Sequence, residues 1–229
     1  MEIIKDPLLS RQVHGEVTSV CVVDEQGNSS IEVGRLMSLP LLQSIYAEVL
    51  RLHVSINVTR ELTGNITLGG YSLEKGSVIQ AATEICHHDE AIWGVPGHPA
   101  SEFWAERHIK LVQEPDGQWK RQFAMNKKPG EFFPFGMLEQ SSRRIITETN
   151  EGWLSGGGRG MCPGRSFAKQ EVILTIAMFV STFDIEFEGW INSADGSSSD
   201  RQAQNDPRYS GTAAIPPDRD MKVRLRRLG

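Results

Sequence analysis

The sequence predicts an α+β fold on three observations: a helix-periodic stretch over about 39–53, short strands between Ile56 and Ala82, and a long apolar helix following a glycine-rich loop around Cys162. The 229 residues, 39% of them apolar, suffice for one large domain or two small ones. A net charge of −5 argues against nucleic acid as the main partner. The three cysteines, Cys21, Cys86 and Cys162, include no CxxC pair, so a disulfide framework and a structural zinc site are both disfavoured and a reducing compartment is expected. No apolar run approaches the roughly 18 residues of a membrane span. The start, "MEIIKDPLLS", has no apolar core of signal-peptide length, so the chain as written reads as soluble and cytoplasmic.

Residues 1–37 form a poorly patterned N-terminal segment with a turn at "DEQGNSS", and residues 38–229 carry the main fold. In "SLPLLQSIYAEVLRLH" Ser38 is the expected N-cap and Pro40 lies in the first turn, where its missing N–H does no harm. Leu42, Ile45, Tyr46, Val49 and Leu52 then recur at helical spacing. "INVTREL", "ITLGGY" and "GSVIQAA" read as strands, and "ATEICHHDEAIWG" as a short helix and loop. The polar, Gly/Pro-bearing stretch that follows "SEFWAERHIK" and runs to about residue 155 is too long for a free loop and is expected to wrap another element. "SFAKQEVILTIAMFVSTF" is the strongest helix, apolar on most sides in its second half and therefore expected to be buried. "DIEFEGW" and "MKVRLRRL" read as strands around a turn-rich loop, with Lys222, Arg224, Arg226 and Arg227 on a wet face. His87 and His88 precede acids and read as a surface cap, with no metal role.

"GGGRGMCPGR", residues 156–165, excludes three glycine-rich or cysteine-centred sites by specific residues. The dinucleotide fingerprint fails because Met161 or Pro163 stands where its third glycine belongs, and the P-loop because its lysine is missing. A cysteine-phosphatase loop fails because Ala168 replaces the needed arginine. What fits is a sulfur at a helix N-terminus, where unpaired N–H groups and the helix dipole favour negative charge. Gly164 and the residues after it could turn backbone N–H groups toward the sulfur, and Gly156–Gly158 leave room for a flat ligand against the backbone. That combination suits a sulfur presented to a planar metal complex.

"GGGRGMCPGRSFAKQE" resembles the haem loop of the cytochrome P450 superfamily, whose aromatic-x-x-Gly-x-basic-x-Cys-x-Gly pattern supplies an axial thiolate. Ser155 stands where that pattern has its aromatic, with Trp153 nearby, and Gly160 where it has its basic residue, with Arg159 one place earlier. "EVLR" matches the family's Glu-x-x-Arg helix through Glu48 and Arg51, "FWAERHIK" its second arginine through Arg107, and "GTAAIPPDRDMKVRLRR" its C-terminal strands. "NVTREL" sets Arg60 where the family often holds a haem propionate. The resemblance runs from about residue 38 to the end and is greatest to filamentous-fungal members and to the sterol 7α-hydroxylase and prostacyclin synthase branch. It implies a partial P450 fold with its distal half missing, since no acid-and-threonine helix for handling dioxygen and no anchor is found. It further implies haem bound by Cys162, with Arg159 and Arg60 on the propionates and Gly158 and Gly164 against the ring. Glu48, Arg51 and Arg107 become a structural triad.

The activity so implied is monooxygenation of a small apolar substrate, sterol-like or a secondary metabolite, with electrons from an NADPH-dependent reductase. A full-length relative would sit on the cytosolic face of the endoplasmic reticulum. Two alternatives stand beside it: an inactive remnant, and a haem-thiolate isomerase or dehydratase.

Overall fold

A computed structural model describes residues 1–23, 25–26, 29–125, 131–135 and 162–228. The chain opens with α1 (Glu2–Lys5), α2 (Pro7–Thr18), the hairpin β1 (Cys21–Val23) and β2 (Ser29–Ile31), and the single turn α3 (Val33–Leu36). The longer α4 (Pro40–His53) runs directly into β3 (Val54–Glu61). Next come β4 (Ile66–Leu68), β5 (Tyr71–Leu73), β6 (Val78–Ala82), α5 (Thr83–His87), α6 (Glu90–Trp93) and the hairpin β7 (Ile109–Gln113) and β8 (Trp119–Phe123). Beyond Cys162 lie α7 (Arg165–Thr182), β9 (Phe183–Ile191), β10 (Ser198–Ser199), a short 3-10 turn, β11 (Thr212–Ala214) and β12 (Asp220–Arg227).

Among the described residues all the strand pairs are antiparallel. β3 is the middle strand of one small sheet, between β11 and β6, and β9 the middle of another, between β10 and β12. On the second sheet Lys222, Arg224 and Arg226 face Glu188, Glu186 and Asp184 across β9 and β12. These pairs are solvent-exposed and each contributes little to stability. They account for the charge alternation of the last strand, whose cations sit on its wet face.

The N-terminal segment, weakly patterned in sequence, is helical because local signals agree. Asp6 accepts from the N–H groups of Leu8 and Leu9 at 2.8 and 3.1 Å, and Pro7 occupies the first helical position. Leu9, Val13 and Val17, four apart, then form one buried stripe. That stripe enters the same core as Leu41, Leu42, Ile45 and Tyr46 of α4 and Ile173, Ala177 and Val180 of α7. His14 Nδ1 pairs with the Val180 carbonyl oxygen at 2.9 Å and ties α2 to the last turn of α7.

The cap of α4 differs from expectation. Its N-cap is Leu39, without a side-chain hydrogen bond, and the Ser38 hydroxyl donates backwards to the Arg35 carbonyl. The capping carboxylate comes from another helix: Glu16 of α2 accepts from Leu41 N at 2.9 Å and Leu42 N at 3.0 Å. Burial pushes the Glu16 carboxyl up, against the pull of those two amides. Val49, placed on the apolar stripe by its spacing, is exposed.

α7 also departs from the fully buried helix expected. Ile173, Ala177 and Val180 are its buried residues, whereas Phe167 is 70% and Met178 56% exposed, with Val172 and Phe179 also in solvent. The reason is cover: α2, α3, α4 and β9 pack on one stripe of a helix that is apolar on more than one.

The trans cap gives a direct test. Glu16→Ala should lower the urea unfolding midpoint by the equivalent of about 1 kcal/mol, the usual worth of a helix cap. Ser38→Ala should leave the midpoint unchanged.

Candidate functional site: a thiol braced by a buried charge network

Glu48, on the inner face of α4, is fully buried, as is Arg51 one turn on. Glu48 Oε1 accepts from Arg51 Nη2 at 2.8 Å, Arg107 Nε at 2.8 Å and the Trp104 amide at 3.2 Å. Oε2 accepts from Arg51 Nε at 2.8 Å. The three residues singled out in sequence are thus brought together. Burial alone would raise the Glu48 carboxyl, but the hydrogen bonds and charge of Arg51, with the hydrogen bond of Arg107, outweigh it and hold it well below the usual range.

Two guanidinium groups against one carboxylate leave an excess positive charge, which backbone carbonyls solvate. Arg51 Nη1 donates to His87 O at 2.7 Å and Ala100 O at 2.6 Å, and Nη2 to Glu102 O at 3.3 Å. Arg107 donates to Trp93 O at 2.5 Å, His98 O at 3.3 Å, Pro99 O at 3.0 Å and Glu102 O at 2.9 Å. The acceptors all lie in the largely irregular stretch 87–102. The network therefore fixes a loop that has little regular secondary structure to fix itself.

His87 is the next link, and its expected surface role is wrong. The ring is wholly buried, and Nε2 accepts from the Phe133 amide at 3.1 Å. Phe132 and Phe133 pack their rings at 5.1 and 5.4 Å from it, and Trp93 meets Phe132 at 5.8 Å. Burial, with the nearby Arg51 charge, pushes the imidazole down to about 3, so it is neutral and free to accept at Nε2. The segment 131–135 folding over the ring is what takes it out of solvent. His108, also buried, sets Nε2 3.4 Å from Glu48 Oε2, and burial lowers it as well.

From Phe133 the chain reaches Phe135, whose carbonyl accepts from the Cys162 amide at 3.2 Å. Cys162 is exposed, whereas Cys21 and Cys86 are half-buried. The Cys162 carbonyl accepts from Arg165 Nη1 at 3.1 Å. Gly164 is the N-cap of α7, and a Cβ there would lie 3.9 Å from Cys162 Sγ, in ordinary van der Waals contact with it. The expected amide-to-sulfur bonds are not made: no N–H among the described residues donates to Sγ. Arg60 is exposed on β3 and Nη1 donates to its neighbour Thr59 O at 2.8 Å, so no contact joins it to Cys162. Gly158 and Arg159 lie outside the described residues.

The arrangement is that of a single sulfur donor held at a helix start by a scaffold of buried charge. The chain matches the cytochrome P450 family over residues 1–137. It is 46% identical, over 100% of its length, to "Cytochrome P450 monooxygenase calL" of Penicillium decumbens, and covers 38% of that protein. It is 30% identical over 99% of its length to "Cytochrome P450 monooxygenase efuG" of Hormonema carpetanum, covering 39% of it. The same coverage of the chain and identity hold for "Cytochrome P450 monooxygenase fsoE" of Humicola fuscoatra, with 38% of that protein covered. The chain belongs to the cytochrome P450 family, and it spans well under half the length of these relatives. The family match begins at residue 1, so it takes in the N-terminal helices that the sequence resemblance, starting near residue 38, left out. Among the described residues no helix is long and apolar enough to cross a membrane.

Two outcomes follow from the network. Glu48→Ala leaves two guanidiniums buried without their counter-charge and should cost about 3–5 kcal/mol, enough to abolish cooperative unfolding in a marginal chain. For His87 the folded value lies below the unfolded one, so its stabilisation is complete above pH 6.5 and is lost as pH falls toward about 3. Its share of the slope is at most about 1.4 kcal/mol per pH unit, in the same sense as His88 and His108 and opposite to Glu16. His87→Phe should flatten urea midpoints measured between pH 7 and 5 while lowering all of them, because the Phe133 amide loses its acceptor.

Proposed function

We propose that this chain is the thiolate-bearing part of a haem-thiolate monooxygenase, with Cys162 as the axial ligand of the iron. The residues present suit that group. One exposed sulfur with no hydrogen bond among the described residues stands at the head of α7, and an uncovered apolar surface begins five residues on at Phe167. Arg159 and Arg60 would pair with the haem carboxylates, as guanidinium groups do well, and Gly158 and Gly164 would let the ring approach the backbone. The haem, when bound, supplies dioxygen activation, which an axial thiolate favours by donating electron density.

The chain's own residues do the holding. The Cys162 amide is fixed on Phe135 O, the Phe133 amide on His87, and His87 O on Arg51, so the sulfur's backbone is tied to the charge network. Glu48, Arg51 and Arg107 touch neither substrate nor cofactor and act by position. Oxidation of a small apolar substrate, sterol-like or a secondary metabolite, with electrons from an NADPH-dependent reductase, is the proposed activity of the whole protein. What carries the reading is the exposed Cys162 at a helix start in a chain 46% identical along its whole length to a P450 monooxygenase.

Carbon monoxide difference spectra of the reduced, haem-loaded chain test it. The thiolate band should be present and should vanish in Cys162→Ala; the same band in the variant ends the assignment. The open face of α7 predicts weak loading. At ~25 cal/mol per Å2, several hundred Å2 of apolar surface left in water amounts to many kcal/mol. The chain alone should lose haem on gel filtration and self-associate; a monodisperse, fully loaded protein would contradict this.

A further inference from the structure

We propose that residues 137–156 are an insertion that splits the haem loop, and that Phe135 is the aromatic side chain belonging beside the Cys162 sulfur. The inference rests on the haem reading above, and three observations carry it. The amide of Cys162 donates to the carbonyl of Phe135 at 3.2 Å, so the chain returns to the point it left and the two ends of the intervening stretch lie side by side. The family match ends at residue 137, one position beyond Gly136, although relatives align along the whole chain.

The third observation is one of register. With residues 137–156 removed, the sequence across the junction reads "FPFGGGRGMCPGR". Phe135 then stands seven places before Cys162, the position of the pattern's aromatic, which Ser155 occupies in the intact chain. Gly136 takes the place of Gly156 without change of residue, and Gly158 and Arg159 keep their distance from the cysteine.

Among the described residues, Phe135 is placed by contacts that lie outside the inserted stretch. Phe132 and Phe133 are anchored by the ring of His87 and by Trp93, and Phe135 itself packs against the main core. On the other side, Cys162 is positioned by the start of α7, whose Lys169 donates to Gln43 of α4 at 3.0 Å. Both ends are thus fixed by the scaffold, and the stretch between them can be shortened without moving either. Its length works against the site: residues 136–161 now close a gap that six residues would span, just over two doublings of loop length. For a loop with no structure of its own, that excess would lower the closed population by about tenfold.

The test compares the intact chain with the same chain lacking residues 137–156, by thermal unfolding without haem and by haemin titration. The shortened form is expected to unfold at the same or a higher temperature, and to bind haemin about tenfold more tightly in a manner abolished by Cys162→Ala. A lower unfolding temperature, or equal haemin affinity of the two forms, overturns the insertion. If haemin binds neither form, the haem reading of this chain fails, and the unfolding temperatures still decide whether the segment is dispensable. Within the shortened form Phe135→Ala should speed haem loss, and in the intact chain Trp153→Ala should leave it unchanged. The reverse pattern assigns the aromatic to Trp153 and removes Phe135 from the role.

Discussion

A carboxylate with no exposure to water, set between two guanidinium groups, is the constraint from which the rest of this structure hangs. Taking Glu48, Arg51 and Arg107 out of water is costly, and their mutual attraction offsets that cost only because nearly every remaining donor finds a carbonyl. Those carbonyls belong to residues 87–102, which have the last residue of α5, the single turn α6 and little else to hold them. The charges therefore shape a loop: they make one of its conformations the only one in which a buried guanidinium is satisfied. Arginine is required for this. Its planar fork donates in several directions at once, whereas a lysine would present a single point charge to the same set of acceptors.

From that loop the constraint passes outward by contacts that can each be named. His87 is positioned through its own carbonyl on Arg51, and in turn accepts the Phe133 amide. Phe135, two residues on, accepts the Cys162 amide. The sulfur lies at the periphery of the fold and is exposed, yet its backbone is reached from the buried Arg51 through three hydrogen bonds. The sulfur's backbone is thus held from within while the sulfur itself stays exposed, the two properties that a thiolate ligand of the proposed kind would need together.

What the sequence disclosed follows from how local each interaction is. α4 and α7 were legible because periodicity and Pro40 are local signals, and Glu48, Arg51, Arg107 and Cys162 because short motifs carry them. The helix α2 had the same kind of signal, with Asp6, Pro7 and the spacing of Leu9, Val13 and Val17, but over only two buried turns and beside a turn-rich stretch. Ser38 was a reasonable cap by local rules and lost to Glu16, which reaches the same amides from a different helix. His87 resembled a surface residue because the aromatic segment that covers it lies far along the chain. Phe135 was hidden more deeply still: its partner is Cys162, and the motif that would have paired them is interrupted.

The uncovered face of α7 ties these points to the chemistry. A helix apolar around most of its circumference folds stably only if something apolar lies on each side, and here α2, α4 and β9 supply one side. Phe167, Val172, Met178 and Phe179 remain in water, and Phe167 begins that surface one turn from the sulfur. A planar apolar macrocycle on Cys162 would cover the near end of this surface and leave the far end for protein of complementary apolar character. On the proposed haem reading, the same helix would present the ligand at its start and need cover along its length. Cofactor retention and helix burial would then be one problem, with haem kept only where the face beside it is also closed to water.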